Sequence, residues 1–539
     1  MDLQTARILA ESLLERAEAD SEKTFLTSIE VIALRVLLGS DPAPNEKAAS
    51  LITPKAPPAA SIDPVINLEI QAGEIDSGYM MCLDFGTSFS KAFAHSSIGS
   101  EASLLDLKIG STDNGGSELL LPSELFIDGL NIYFGVSARS RFNDVEAEQE
   151  RLIDSPKQYL TLGSDVTKLD AKDLPKADKK DPNRRLKQRD ALVLYLSHLN
   201  FKAENALALE GHSTNIKRRY THPAWDTEIN ENNKTATRRI LAEAITISRA
   251  YPELISEQAD LEKLVPILSK AKSLTEEKLG FAYSLIGDAV REATAAGSGA
   301  LLSTKSGKRD SFVVVDIGAG TTDVAGCYCV HNAITGALST FEEVNAAKAI
   351  RKAGNALDSG LLMLALGKLP YENASTEYEL TKSELQKRKR EYKEILFSSG
   401  EIAISLPDDT ILQISLEEFL EQKSTQSFID DLSELIKEAA KSVSNNKVVY
   451  LIPTGGGANL PFIADIVENL SKGADPIQVE IRDAMPVELR ESNPDLIAPY
   501  PQLAVAVGGS MPDLPEQKRD IRGGIKDPGK REMVPSYKS

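Results

Sequence analysis

Cysteine, tryptophan and histidine are scarce in this sequence, with three, one and five copies among 539 residues. Three cysteines give no disulfide framework. Cys82, Cys327 and Cys329 fall in apolar runs and read as small buried strand residues. Cys327-x-Cys329 lacks the neighbouring ligands that a metal would need. No run of eighteen apolar residues occurs, so no transmembrane helix is expected, and the first residues are helical and mixed in charge rather than signal-like. Positive charge is also in deficit: 61 Lys and Arg against 80 Asp and Glu leave a formal charge of −19. That balance argues against a nucleic-acid backbone as main partner, because such contacts come from basic clusters. The expectation is a cytoplasmic protein with neither nucleic acid nor membrane as partner.

What is present is ordinary for a globular chain, 42% hydrophobic and 26% charged. The length exceeds what one hydrophobic core serves, so several subdomains are expected. Residues 1–39 carry apolar residues at helical spacing (Leu3, Ile8, Leu9, then Phe25, Ile29, Ile32) and read as a pair of amphipathic helices. Residues 40–66 are rich in proline and alanine and read as a linker. The charge-dense stretch between Val166 and Asp190 reads as a solvated loop. Helices are expected over 230–285, 377–397 and 424–444, and a hairpin over 402–416. Residues 512–539 read as a polar tail with no core-forming pattern.

Three short segments carry the chemistry. Asp84-Phe-Gly86-Thr87-Ser88 follows the apolar start Met80-Met81-Cys82-Leu83, and Asp316-Ile-Gly318-Ala319-Gly320-Thr321-Thr-Asp323 follows Phe312-Val-Val-Val315. Each reads as a buried strand, a turn bearing hydroxyls, and a returning strand. The third, Thr454-Gly455-Gly456-Gly457, follows the apolar run 448–452. Glycine lets phosphate oxygens reach backbone N–H groups, and strand-end aspartates can hold Mg²⁺ through its water shell. One such turn alone is usually a plain hairpin turn; the duplicate and the glycine triplet point to a cleft between two similar lobes that holds the phosphates of a nucleotide. It is not a P-loop, since Gly-x4-Gly-Lys-Ser/Thr is absent.

The order of these segments resembles the nucleotide-binding domain of the seventy-kilodalton heat-shock (DnaK-type) chaperones, in the actin-like ATPase superfamily. The likeness runs from about Tyr79 to Met511. Leu121-Pro-Ser-Glu, Ile153-Asp-Ser-Pro-Lys157, His222-Pro-Ala-Trp225, Glu292-Ala-Thr-Ala-Ala, Gly354-Asn-Ala-Leu-Asp358 and Ala504-Val-Ala-Val-Gly508 are similar to further segments of that family, in the same order. The resemblance implies an α/β actin-like fold, with a first lobe over 67–309 and a second over 310–511. Each lobe would be a mixed sheet flanked by helices, beside the N-terminal helical extension. It implies ATP or ADP and Mg²⁺ in the cleft. Asp84 and Asp316 would position the metal through water, and Lys157 would orient the attacking water, with Glu292 and Thr321 close by. Gly86, Thr87, Ser88, Gly318, Ala319, Gly320, Gly354, Lys393 and Gly455–Gly457 would surround the nucleotide.

The nucleoside side departs from the family. Glu394, Phe397 and Asn459 stand where it has arginine, serine and a second arginine, and Gln502 replaces an aspartate. Loss of both arginines removes cation–π stacking on adenine, in general about 0.5–2 kcal/mol each. Lys91 stands in place of a small residue in the first turn, near a phosphate or turned to solvent. The family's peptide-gripping β-sandwich is not expected in the 28 residues after Met511. The expected function is therefore a slowly hydrolysing, chaperone-like ATPase switch that works with a protein partner, such as a co-chaperone or complex subunit docking on the N-terminal helices. A nucleotide sensor with little turnover and a filament-forming actin-like protein are the alternatives.

Overall fold

The computed structural model describes residues 66–96, 103–112, 116–145, 152–161, 164–174, 186–225, 230–301, 308–332, 334, 338–373, 375–444, 448–473, 476–512 and 514–518. The expected helical pair, its linker up to residue 65 and residues 519–539 lie outside the described residues.

Two mixed sheets form the body. The first contains β1 (Asp76–Asp84), β2 (Phe89–Ser96), β3 (Leu104–Asp106), β4 (Ile216–His222) and β5 (Ile286–Arg291). The second contains β6 (Arg309–Ile317), β7 (Thr322–His331), β8 (Leu338–Ile350), β9 (Val449–Thr454) and β10 (Val479–Ile481), with a short β11 (Glu516–Lys518) at its edge. Spatial order in the first sheet is β5-β4-β1-β2-β3; in the second it is β10-β9-β6-β7-β8-β11. The pairings match in sense as well. β1–β2 and β6–β7 are antiparallel hairpins, whereas β1–β4 and β6–β9 are parallel. One five-strand plan is thus used twice. Met81 to Asp84 and Phe312 to Ile317 are buried without interruption, the pattern of central strands covered on both faces.

The covering helices are α1 (Gln188–Leu209), α2 (Asn230–Ala250), α3 (Glu292–Leu301), α4 (Gly354–Gly367), α5 (Thr376–Ser399), α6 (Lys423–Val443) and α7 (Tyr500–Ser510). α1 and α2 pack together over the first sheet. The Phe428, Leu432, Leu435, Ile436 and Ala439 stripe of α6 packs into the core of the second. α3 and α7 each follow the last parallel strand of a sheet, and they pack against each other. Small residues bring them close, and Tyr500 of α7 packs against Gly299 of α3. A side chain at Gly508 would overlap the carbonyl oxygen of Ala295, so the helices meet backbone to backbone.

Three expectations change. Val166–Ala171, in the stretch read as a solvated loop, is a short 3-10 helix with Val166 and Leu169 buried at i, i+3. At its far end Arg189 is buried in a double hydrogen bond with Glu243, 2.9 Å on each arm. The helical stretch 230–285 is interrupted by a strand at Gln258–Asp260. Glu516–Lys518, counted as tail, pairs in parallel with β8 (Phe341↔Glu516). Sheet-edge pairing uses backbone N–H and C=O groups, so it needs no apolar pattern.

Candidate functional site

Both hairpins turn at the edge of one cavity of about 790 Å³. In each, an aspartate near the end of the first strand sits opposite the residue seven positions later: Asp84↔Lys91 and Asp316↔Asp323. In each, a threonine at the end of the parallel neighbour donates to that aspartate. Thr221 Oγ1 lies 3.1 Å from Asp84 Oδ1, and Thr454 Oγ1 lies 3.1 Å from Asp316 Oδ1. The cavity therefore opens at the carboxyl ends of parallel strands, where open α/β sheets bind ligands.

The closing residues differ. Lys91 Nζ lies 3.0 Å from Asp84 Oδ2 and lines the cavity, so it does not turn to solvent. Asp323 has no such cation; its Oδ1 accepts from the Ala224 amide at 3.1 Å, and its Oδ2 is buried with no donor among the described residues.

Between the hairpins stand Lys157 and Glu292, with Nζ and Oε1 2.6 Å apart. Pro156 starts a 3-10 helix and aims Lys157 inward; proline suits that first position because its missing N–H would be unpaired anyway. At 5% exposure Lys157 is not the surface residue that its surroundings in sequence suggest. Burial opposes its charge, but the Glu292 and Asp84 carboxylates overcome this and hold its pKa above the ordinary lysine value. Burial pushes the Glu292 carboxyl up despite Lys157. Asp316 is pushed up to about 7 by burial first, then by Glu292 and Asp84. Asp323 is likewise pushed up to about 7, by burial and then Glu292. The site holds negative charge in excess.

The turns supply donors. Among the described residues the amides of Thr87, Ser88, Ala319, Gly320 and Gly456 have no hydrogen-bond acceptor, and the buried Ser88 Oγ has no partner. Other amides fix the turns themselves: Gly354 N–H donates to Gly318 O (3.1 Å), Gly455 to Pro501 O (2.7 Å) and Gly457 to Ile317 O (3.0 Å). Gly354 thus contributes open space rather than a free amide. Gly455 has φ +79°, and a Cβ there would also approach Asp316 Oδ1 to 2.7 Å. Among the expected residues, Gly320 alone is absent from the cavity lining; a side chain on it would meet Thr87 of the facing turn.

The outer end of the cavity is built on α5. Lys393 pairs with Asp358 at 2.7 Å and donates to Gly354 O. Arg390, Glu394 and Phe397 line the same helix face, with Asn459 and Gln502 across from them. Lys91, Lys157 and Lys393 are each ion-paired, whereas Arg390 has no ion-pair partner among the described residues. Sequence reasoning passed over Thr221, Asp323 and Arg390 as site residues. Asp323 is findable from hairpin register, and Arg390 from its place one helical turn before Lys393; Thr221 carries no signal short of the strand pairing. Among the described residues no three His, Cys, Asp or Glu side chains converge closely enough to ligate a metal directly. No model of a known protein family matches this chain.

Proposed function

We propose that this cavity binds ATP with its phosphates between the two hairpin turns and hydrolyses it slowly, as an ATPase switch of the actin-like, DnaK-related kind that works with a protein partner. The observation that carries the reading is the doubled strand plan, which brings Asp84 and Asp316 to equivalent places at one cavity with Lys157–Glu292 between them. The unpaired turn amides and the Ser88 hydroxyl suit phosphate oxygens.

The residues fit a divalent cation. Asp84, Glu292, Asp316 and Asp323 bring four carboxylates against the two ammonium groups of Lys91 and Lys157. Asp84 and Asp316 would hold Mg²⁺ through its waters, and the ion would neutralise charge on the transferring phosphoryl group. Lys157, held by Glu292, orients the attacking water and stabilises the developing negative charge. Asp323, whose buried Oδ2 has no donor among the described residues, is the carboxylate left to take the water's proton. Positioning and electrostatics of this kind supply most of the barrier reduction in phosphoryl transfer.

A second reading, a nucleotide sensor with little turnover, is favoured by the altered end of the cavity, where Glu394 and Asn459 line it in place of the two arginines of the resembled family. Steady-state ATP hydrolysis with Mg²⁺, on wild type, Lys157→Ala and Asp316→Ala, separates the two. The ATPase reading expects turnover to fall about a hundredfold or more in both variants, with nucleotide binding kept by Lys157→Ala. Tight binding without turnover in the wild type moves the protein to the sensor class. No binding at all sinks both readings.

A further inference from the structure

Both oxygens of Asp84 already have partners, Thr221 on Oδ1 and Lys91 on Oδ2. The Lys91 side chain is 14% exposed, and its Nζ sits inside the first turn, 3.3 Å from where a side chain on Gly86 would begin. A partly desolvated ammonium against a carboxylate is a cation already in place. Mg²⁺ approaching that oxygen, bare or hydrated, meets like charge at contact distance. The facing hairpin has Asp323 at the matching position and no such guard. The surroundings give Lys91 a reason to leave when phosphate arrives, since the neighbouring Thr87 and Ser88 amides are unpaired and the ammonium already faces the cavity.

We propose that Lys91 keeps divalent metal off Asp84 in the nucleotide-free protein and frees that carboxylate only when a ligand phosphate takes up its ammonium. The second half of this statement rests on the nucleotide reading of the cavity; the first half does not. Metal and polyphosphate are coupled already by direct chelation; release of Asp84 by Lys91 adds to that coupling, and Lys91→Ala loses the added share.

The test titrates Mn²⁺ alone into the full chain and counts free ion by electron paramagnetic resonance, for wild type, Lys91→Ala and Lys91→Arg. Lys91→Ala is expected to bind Mn²⁺ about tenfold or more tightly than wild type, and Lys91→Arg to match wild type. At equal tripolyphosphate, and then at equal ATP, with the chelation of Mn²⁺ by each measured first without protein, the gap between wild type and Lys91→Ala is expected to narrow. Equal affinity of wild type and Lys91→Ala for Mn²⁺ alone overturns the proposal. A gap that persists unchanged with bound tripolyphosphate overturns the release step. If neither tripolyphosphate nor ATP binds any of the proteins, the nucleotide reading fails, and the metal-alone comparison still decides what Lys91 does. Melting curves check folding; Lys91→Gln, which keeps a donor to Asp84 without the charge, replaces an alanine variant that does not fold.

Discussion

The hairpin 84–91 and the hairpin 316–323 share length, register and a threonine donor on the parallel side, yet they close on residues of opposite charge, Lys91 and Asp323. The first answers its buried aspartate from within its own turn. The second adds another carboxylate and leaves the balance to come from outside. Backbone geometry is therefore repeated while the charge is divided: one half of the cavity is self-neutralised, and the other stores the negative charge that a cationic or protonated ligand group would relieve. They differ in tightness too. A side chain on Gly86 would overlap the carbonyl oxygen of Phe89, whereas at the matching Gly318 the nearest atom, the Thr321 carbonyl oxygen, is 3.2 Å away.

The contrast in charge has the largest expected effect. Folded Asp316 titrates at about 7, whereas an unfolded aspartate titrates near 3.9. Between those values the folded chain holds a proton that the unfolded chain has lost. Stability without ligand should therefore fall as pH rises through this window and level off above it, by up to about 4 kcal/mol for this one group. Denaturation from pH 4 to 8 on wild type and Asp316→Asn checks this; an unchanged slope in the variant would remove Asp316 as the source. Next comes the steric contrast. Gly86→Ala should cost about 3 kcal/mol and Gly318→Ala less than about 1, read from urea midpoints, and equal losses would mean that the turns are alike. The smallest concerns the threonines. Thr454→Val leaves Asp316 without its hydroxyl donor or any ion pair and should cost about 2 kcal/mol, while Thr221→Val leaves Asp84 its Lys91 and should cost about 1. The reverse order would contradict the charge division.

Much of this was legible where local pattern and packing agree. The run Phe312 to Val315 is apolar because it is covered on both faces, and Gly86 and Gly455 mark turns that have no room for side chains. The face of α5 at positions 390, 393, 394 and 397 follows from helical spacing once Lys393 is placed. Other features depend on what the chain meets far away. Lys157 looks like any surface lysine until Glu292, more than a hundred residues on, is brought to 2.6 Å. Lys91 reads equally well inward or outward, and the buried Asp84 carboxylate decides it. Val166 and Leu169 are hidden among charges, and their burial comes from α1 and α2, not from their own neighbours. β11 is polar because an edge strand joins through its backbone.

The contact between α3 and α7 has a wider consequence. Each helix continues from the sheet that carries one of the two aspartates, and Glu292 is the first residue of α3. Gly508 admits the Ala295 carbonyl directly, and Tyr500 of α7 packs against Gly299 of α3. A crossing so built would act as a caliper between the two sheets. A single methyl at residue 508 would act as a shim, and the jaws holding Asp84 and Asp316 would be set apart without either being touched.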